Sequence, residues 1–139
     1  MPGADRILVI EDERTHSTPL QQMLEFRGYD VRIIRNGTGA TRVVREFGPL
    51  VVVIDLMLTD PAGEVDDGYE VTRKLRRLQA DLGILVWTAQ YASPRDEIRA
   101  LRAGADDYVR KDAEFGVIEA RIEALLRRVK LGRPATGLR

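Results

Sequence analysis

The most constraining feature of this sequence is an unbroken apolar run, Leu50–Ile54, that ends directly in an aspartate, Asp55. A run without polar alternation is typical of a strand buried on both faces of a parallel sheet, since helices cover both sides of such a sheet. A second uninterrupted run, Ile84–Trp87, has the same character. Such strands require helical segments between them, and the rest of the sequence provides these segments.

Apolar strand-like runs alternate with segments of helical periodicity along the chain. The predicted strands are Arg6–Ile10, Tyr29–Ile34, Leu50–Ile54, Ile84–Trp87 and Asp107–Val109. The predicted helices are Thr15–Phe26, Thr38–Phe47, Tyr69–Leu78, Pro94–Arg102 and Phe115–Val129. This alternation predicts an α/β fold, a five-stranded parallel sheet that is doubly wound with helices on both faces. We expect one domain over residues 1–130 and a C-terminal tail or linker over residues 131–139.

The composition limits the classes of function. The chain of 139 residues carries 22 Lys and Arg residues and 22 Asp and Glu residues, so its formal net charge is zero. This balance argues against direct nucleic-acid binding and against a membrane-surface protein, because both usually require a basic excess. The absence of cysteine excludes disulfides, thiol catalysis and thiolate metal sites. No apolar run approaches the ~20 residues that span a bilayer, so we expect a cytoplasmic protein without a membrane segment.

Polar side chains that suit phosphoryl chemistry follow the predicted strands. Glu11 and Asp12 follow the first strand, Asp55 the third, Thr88 the fourth and Lys111 the fifth. The carboxyl ends of parallel strands meet at one edge of the sheet, so we expect these side chains to converge there. Crowded carboxylates repel one another unless a cation binds, and hard oxygen ligands suit Mg²⁺. An aspartate beside that metal is a competent nucleophile for holding phosphate covalently, while an amine and a hydroxyl bind phosphate oxygens.

Four segments resemble the signature segments of response-regulator receivers in bacterial two-component signalling. These segments are Ile7–Glu13, Val53–Leu58, Leu85–Ala89 and Gly104–Lys111, and they occur in the family's order and spacing. The similarity extends over nearly the whole chain. It implies the flavodoxin-like (βα)5 receiver fold and a phosphoprotein of signal transduction or a phosphorelay. The phosphoryl donor would be a histidine kinase or a histidine phosphotransfer protein, and the cofactor would be Mg²⁺ or Mn²⁺.

The resemblance implies a role for each residue of the acidic site. Asp55 matches the phosphoacceptor. Asp12 matches the direct metal ligand, and Glu11 matches its partner, which often acts through water. Met57 matches the residue whose backbone carbonyl is the third protein ligand to the metal. The protein would then be no enzyme, apart from self-catalysed phosphotransfer and autodephosphorylation at Asp55.

The resemblance also implies how the phosphoryl group is sensed and lost. Lys111 matches the lysine that contacts this group, and Thr88 and Tyr108 match a coupled switch pair. Met57 and Gln90 are expected to flank the path of hydrolytic water and so to set the lifetime of the phosphoryl group. The implied output surface covers roughly residues 94–129 and would contact a downstream effector domain or protein. Homodimerisation through this surface is an expectation at the level of the family.

One departure from the family pattern is the segment after the phosphoacceptor. Comparison with a typical receiver indicates an insertion of about five residues within residues 59–67. The segment carries four acids, Asp60, Glu64, Asp66 and Asp67. We interpret it as a solvated acidic loop, since charge runs are usually solvated. The alternative is that it tunes the choice of kinase or the access of the metal.

A second departure is Lys111-Asp112, where the family usually has Lys-Pro with a cis bond. A non-proline cis bond costs ~3–4 kcal/mol, so we expect a trans bond at this position. Asp112 is then predicted to cap the last helix. We interpret His16 as a surface histidine at a helix start, in preference to a phosphohistidine or a metal ligand.

Two other functions compete with the phosphorylated receiver. The first is a pseudo-receiver that is not phosphorylated and acts as a protein docking module, which both departures from the family pattern keep open. The second is a phosphatase with an aspartate nucleophile. Such enzymes carry a general acid two residues after the nucleophile, whereas Met57 occupies that position here. Without a proton donor there, turnover of phosphomonoesters should be poor.

Overall fold

Seven strands and five helices are present in the computed structural model, which describes residues 3–59, 62–63, 65–89 and 93–132. The strands are β1 (Arg6–Ile10), β2 (Asp30–Ile34), β3 (Val51–Ile54), β4 (Met57–Thr59), β5 (Val65–Asp67), β6 (Gly83–Thr88) and β7 (Asp107–Arg110). The helices are α1 (Arg14–Phe26), α2 (Ala40–Phe47), α3 (Gly68–Leu78), α4 (Pro94–Ala103) and α5 (Phe115–Gly132). Every predicted strand and helix is present, with small differences at the ends. None of the described helices is both long and apolar enough to cross a bilayer.

Five of these strands form one parallel sheet in the order β2-β1-β3-β6-β7, so the predicted doubly wound α/β fold is confirmed. The strand order reverses direction between β1 and β3, because β1 leads outward to β2 and β3 leads to β6 on the other side. A crevice forms at such a reversal, beyond the carboxyl ends of the two strands. Glu11 and Asp55 directly follow these two ends, where their N–H groups donate to the carbonyls of Ile34 and Ile10.

Each face of the sheet packs against its own apolar cluster. Along β1, Leu8 and Ile10 point to the cluster under α2, α3 and α4, whereas Ile7 and Val9 point to the cluster under α1 and α5. All four side chains are fully buried. Burying each such side chain stabilises the fold by ~1.5–3 kcal/mol. Burial on both faces explains why the central strands contain no polar alternation.

A short antiparallel hairpin, absent from the predicted elements, follows Asp55. β4 and β5 pair with Met57 opposite Asp67 and Thr59 opposite Val65. Leu58 is fully buried between two exposed neighbours, as expected of a half-buried strand. The prediction of a loop is therefore wrong at both ends of the segment, which are paired strands, whereas the exposure of Asp67 agrees with a solvated segment. Residues 60, 61 and 64 lie outside the described residues.

The turn before α5 differs from the sequence prediction in one contact. No peptide bond among the described residues is cis, so the Lys111–Asp112 bond is trans as expected. The prediction that Asp112 caps α5 is wrong. Its carboxylate accepts two hydrogen bonds from the guanidinium of Arg110, at 3.1 and 2.8 Å, and α5 begins only at Phe115. At its other end, α5 extends to Gly132, three residues beyond the predicted end.

Candidate functional site

Three acids converge at the carboxyl edge of the sheet. Glu11, Asp12 and Asp55 each offer one carboxylate oxygen, and these atoms lie within 4.8 Å of one another. Glu11 and Asp55 are buried, with 1% and 7% of their surfaces exposed, whereas Asp12 is partly exposed. The end of β1 positions the first two acids and the end of β3 positions the third. A cluster of hard oxygen donors that is open on one side suits a small divalent cation.

Lys111 provides positive charge within this cluster. Its Nζ lies 2.8 Å from Asp55 Oδ2 and also donates to Glu11 Oε1. Its backbone N–H donates to the carbonyl of Thr88, which fixes the residue after β7 to the end of β6. Burial opposes the ammonium charge, but hydrogen bonds to Asp55 and Glu11 outweigh this effect and raise the pKa of Lys111. Burial raises the pKa of the Glu11 carboxyl to about 8, although the contact with Lys111 lowers it.

The other oxygen of Asp55 accepts two hydrogen bonds. Thr88 Oγ1 lies 3.2 Å from Asp55 Oδ1, and the backbone N–H of Met57 donates to the same atom at 3.3 Å. Tyr108 lies on β7 beside β6, and its hydroxyl is the single buried side-chain polar atom without a hydrogen bond in the described part of the chain. The structure thus brings five of the predicted site residues together around Asp55. They are Glu11, Asp12, Met57, Thr88 and Lys111. Gln90, predicted to tune dephosphorylation, lies outside the described residues.

His16 contacts the site, which the interpretation as a surface histidine missed. Its Nδ1 lies 3.2 Å from Lys111 Nζ and 3.5 Å from Glu11 Oε1. Its ring also meets the edge of Trp87, with ring centroids 6.0 Å apart. His16 lies in the first turn of α1, and 38% of its side chain is exposed. Its sequence position alone carries no signal, because the contact depends on how α1 packs against the sheet.

The start of α3 packs closely against the backbone of Asp55 and Leu56. The N–H of Gly68 donates to the carbonyl of Leu56 at 3.1 Å. A Cβ atom on Gly68 would lie 2.4 Å from the carbonyl oxygen of Asp55, so glycine permits this approach. The preceding residue, Asp67, caps the helix by accepting a hydrogen bond from the N–H of Tyr69 at 2.9 Å.

Comparison with known proteins identifies the family. The family model for the response regulator receiver domain matches residues 7–123. The chain belongs to this family. Response regulator MprA from Mycobacterium ulcerans (strain Agy99) is 40% identical over 126 residues, which are 91% of this chain and 52% of the relative. MprA from Mycobacterium leprae (strain TN) is 40% identical over 125 residues, 90% of this chain and 52% of the relative. The receiver therefore spans about half the length of these curated relatives.

Solved structures agree with this assignment. The BeF3-activated N-terminal receiver domain of RstA from Klebsiella pneumoniae superposes with a TM-score of 0.79 at 29% identity, over 88% of this chain and 99% of that chain. A CheY-like receiver domain protein from Methanospirillum hungatei JF-1 gives a TM-score of 0.84 at 24% identity, over 94% of this chain and 100% of that chain. The second comparison supports the fold alone. The resemblance to receivers of two-component systems is thus confirmed.

Proposed function

We propose that this receiver accepts a phosphoryl group on Asp55 from a phosphohistidine of a histidine kinase or a histidine phosphotransfer protein. The observation that supports this most is the arrangement around the Asp55 carboxylate. Lys111 contacts one oxygen at 2.8 Å, and Thr88 donates to the other at 3.2 Å. The Lys111 ammonium and the Thr88 hydroxyl thus lie where they could bind the oxygens of a phosphoryl group on Asp55.

The reaction is a nucleophilic displacement at phosphorus. An oxygen of the Asp55 carboxylate forms a bond to phosphorus as the bond between phosphorus and the donor imidazole nitrogen breaks. The imidazole leaves with the electron pair of the broken bond and takes up a proton from solvent. Negative charge spreads over the phosphoryl oxygens during transfer, and the Lys111 ammonium and the Thr88 hydroxyl stabilise it. Later, water attacks phosphorus, the bond between phosphorus and the Asp55 oxygen breaks, and inorganic phosphate leaves the restored carboxylate.

The acidic residues fit a divalent cation, Mg²⁺ or Mn²⁺. Glu11, Asp12 and Asp55 supply hard carboxylate oxygens, and the backbone carbonyl of Met57 would supply another. Three carboxylates crowd this edge of the sheet and two of them are buried, so a cation in addition to Lys111 would reduce their mutual repulsion. When bound, the cation would offset charge on the phosphoryl oxygens during transfer.

We infer that the output surface is formed by α4, β7 and α5, with Thr88 and Tyr108 as the switch pair. Exposed apolar side chains support a protein-contacting role for this surface. They are Ile98, Leu101, Phe115 and Val117, with 49%, 42%, 40% and 39% of their surfaces exposed. An effector domain, an effector protein or a second copy of the receiver would cover them. The Tyr108 hydroxyl has no hydrogen-bond partner among the described residues, so a change of its rotamer would break no hydrogen bond to them.

Intact mass after incubation with acetyl phosphate tests this function. We expect a phosphate adduct that requires Mg²⁺ and is absent from Asp55→Asn. Asp30→Asn is the matched control, because this exposed carboxylate at the start of β2 pairs only with Arg6 among the described residues. It should form the adduct normally. An adduct that persists in Asp55→Asn would contradict the assignment. No adduct with acetyl phosphate or with a phosphorylated kinase would favour the pseudo-receiver that acts by docking alone.

A further inference from the structure

Tyr69 lies between the phosphoacceptor loop and α4. It sits in the first turn of α3, where only 7% of its surface is exposed. The residue before it, Gly68, donates its N–H to the carbonyl of Leu56 and packs against the carbonyl of Asp55. Gly68 thus connects the backbone at Asp55 to Tyr69 by direct backbone contacts that do not include Thr88.

The hydroxyl of Tyr69 is attached to the start of α4. It donates to Asp96 Oδ1 at 3.0 Å. The other carboxylate oxygen of Asp96 accepts hydrogen bonds from the backbone N–H of Ser93 at 2.7 Å and from its Oγ at 3.0 Å. The bond from the Ser93 N–H and a return bond from the Asp96 N–H to Ser93 Oγ at 3.4 Å form the capping box that begins α4. One carboxylate thus joins α3 to the first turn of α4.

Arg99 adds a second attachment between the two helices. Its guanidinium lies over the Tyr69 ring, 3.9 Å from the ring centroid, and 3.9 Å from Asp67, which caps α3. Burial and the hydrogen bond to Asp96 raise the pKa of Tyr69 to about 12. Hydrogen bonds from Ser93 and Tyr69 lower the pKa of Asp96. Donor and acceptor therefore keep the protonation that this hydrogen bond requires at neutral pH.

We propose that Tyr69 is a positioning residue that couples the Asp55 loop to α4 by a route separate from the Thr88–Tyr108 pair. The inference rests on the proposed phosphorylation of Asp55. The two routes contrast in their hydrogen bonding, since the Tyr108 hydroxyl has no partner in the part of the chain that the structure describes, whereas the Tyr69 hydroxyl is bound to the cap of α4. Phosphorylation shifts the backbone at Asp55, and the first turn of α4 responds because Tyr69 connects the two.

A coupling role differs measurably from a structural one. A hydroxyl that merely stabilises the fold contributes equally to the phosphorylated and unphosphorylated forms, so its loss alters both alike. A coupling hydroxyl interacts differently with α4 in the two forms, so its loss reduces the difference between them. The informative quantity is the change in α4 on phosphorylation, not the stability of α4 in either form.

Tyr69→Phe tests the proposal, because it removes the hydroxyl and keeps the ring under Arg99. Amide hydrogen exchange is measured for residues 94–100 before and after treatment with acetyl phosphate and Mg²⁺, and intact mass reports the adduct. We expect phosphorylation to alter exchange in the wild-type protein. In Tyr69→Phe this change should shrink by about threefold or more, the scale of one hydrogen bond to a charged acceptor that is partly exposed. The yield of adduct should be unchanged.

Tyr29→Phe is the matched control, since this partly buried tyrosine packs on the opposite face of the sheet. It should retain the full wild-type response. Arg99→Gln is a second variant at an exposed position and should also weaken the response of α4. An undiminished response in Tyr69→Phe, or no response of α4 in a phosphorylated wild-type protein, would overturn the coupling role of Tyr69 but not the proposed function. A wild-type protein that forms no adduct would overturn the proposed function, and this inference with it.

Discussion

Replacing Gly68 with alanine should displace the backbone at Asp55 and Leu56 from outside the acidic site. The added methyl group would lie 2.4 Å from the carbonyl oxygen of Asp55, 2.6 Å from Cα of Leu56 and 2.9 Å from the carbonyl oxygen of Leu56. All three are backbone atoms, so no change of side-chain rotamer relieves the contact. Gly68 does not adopt a positive φ. The position therefore needs glycine for space, not for conformational freedom.

The magnitude follows from two opposing effects. Overpacking costs ~1–3 kcal/mol, and contact with rigid backbone atoms favours the upper end of this range. Alanine recovers up to ~1 kcal/mol over glycine in a helix. The free energy of unfolding should therefore fall by about 2 kcal/mol, which corresponds to ~6–8 °C in Tm for a domain of this size. To relieve the steric contact, Asp55 must also move relative to Lys111 and Thr88. A displacement of about 1 Å slows a reaction that depends on such positioning by ~100-fold, so we expect phosphorylation of Asp55 to slow by this factor.

Thermal unfolding followed by circular dichroism and the rate of adduct formation measure these two effects. Gly116→Ala is the matched control, because Gly116 also lies in the first turn of a helix and a Cβ there would meet nothing within 4 Å. This control should gain ~0.5–1 kcal/mol and react normally. If Gly68→Ala proved as stable and as reactive as Gly116→Ala, the steric argument would be refuted.

Three further predictions concern other parts of the receiver. Arg76→Met should lower the free energy of unfolding by about 2–3 kcal/mol, as measured by urea denaturation, because the guanidinium donates to the carbonyl of Gly104 and pairs with Asp106. Arg77→Met is the control at an exposed position and should change this free energy by less than ~0.5 kcal/mol. Thr88→Val should slow formation of the Asp55 adduct by about tenfold, the scale of one lost hydrogen bond, and an unchanged rate would show that the hydroxyl takes no part in the reaction. Burial and then the hydrogen bond to Asp96 raise the pKa of Tyr69 from 10.0 to about 12. The protonated Tyr69 hydroxyl therefore stabilises the fold fully below pH 10, and this stabilisation is lost as the pH rises through about 12. Tyr69→Phe should accordingly flatten the decline of the urea midpoint above pH 10, and a decline as steep as that of the wild type would contradict this account.

The positions of the acidic residues could be predicted from the sequence for a simple physical reason. A strand buried on both faces must be apolar throughout, so the first acid after the apolar run marks its carboxyl end. Parallel strands place all such ends at one edge, which brings Glu11 and Asp55 together before any contact is known. The position of Lys111 could be predicted in the same way, because this residue directly follows the last strand of the sheet. The roles of these residues in phosphotransfer stay predictions that the proposed experiments test.

Contacts that depend on helix orientation could not be predicted in this way. The contact of His16 with Lys111 and the bond from Tyr69 to Asp96 join residues far apart in the chain, and no local pattern specifies them. The hairpin was missed because its strands have only three residues each, too few for an alternation to stand out. The prediction for Asp112 failed because a bidentate contact with a neighbouring guanidinium outcompetes a helix cap two residues away.

The cover that α5 provides has a consequence for how this receiver folds during synthesis. Ile7 and Val9 lie on a central strand near the start of the chain, yet Ile118 and Ile122 of the last helix complete the cluster around them. While the ribosome is still making the second half of the receiver, α1 is the only helix of this cluster that can cover this face of the sheet. The emerging chain therefore exposes apolar surface until α5 has left the ribosome, and the final cooperative folding step must wait for that moment.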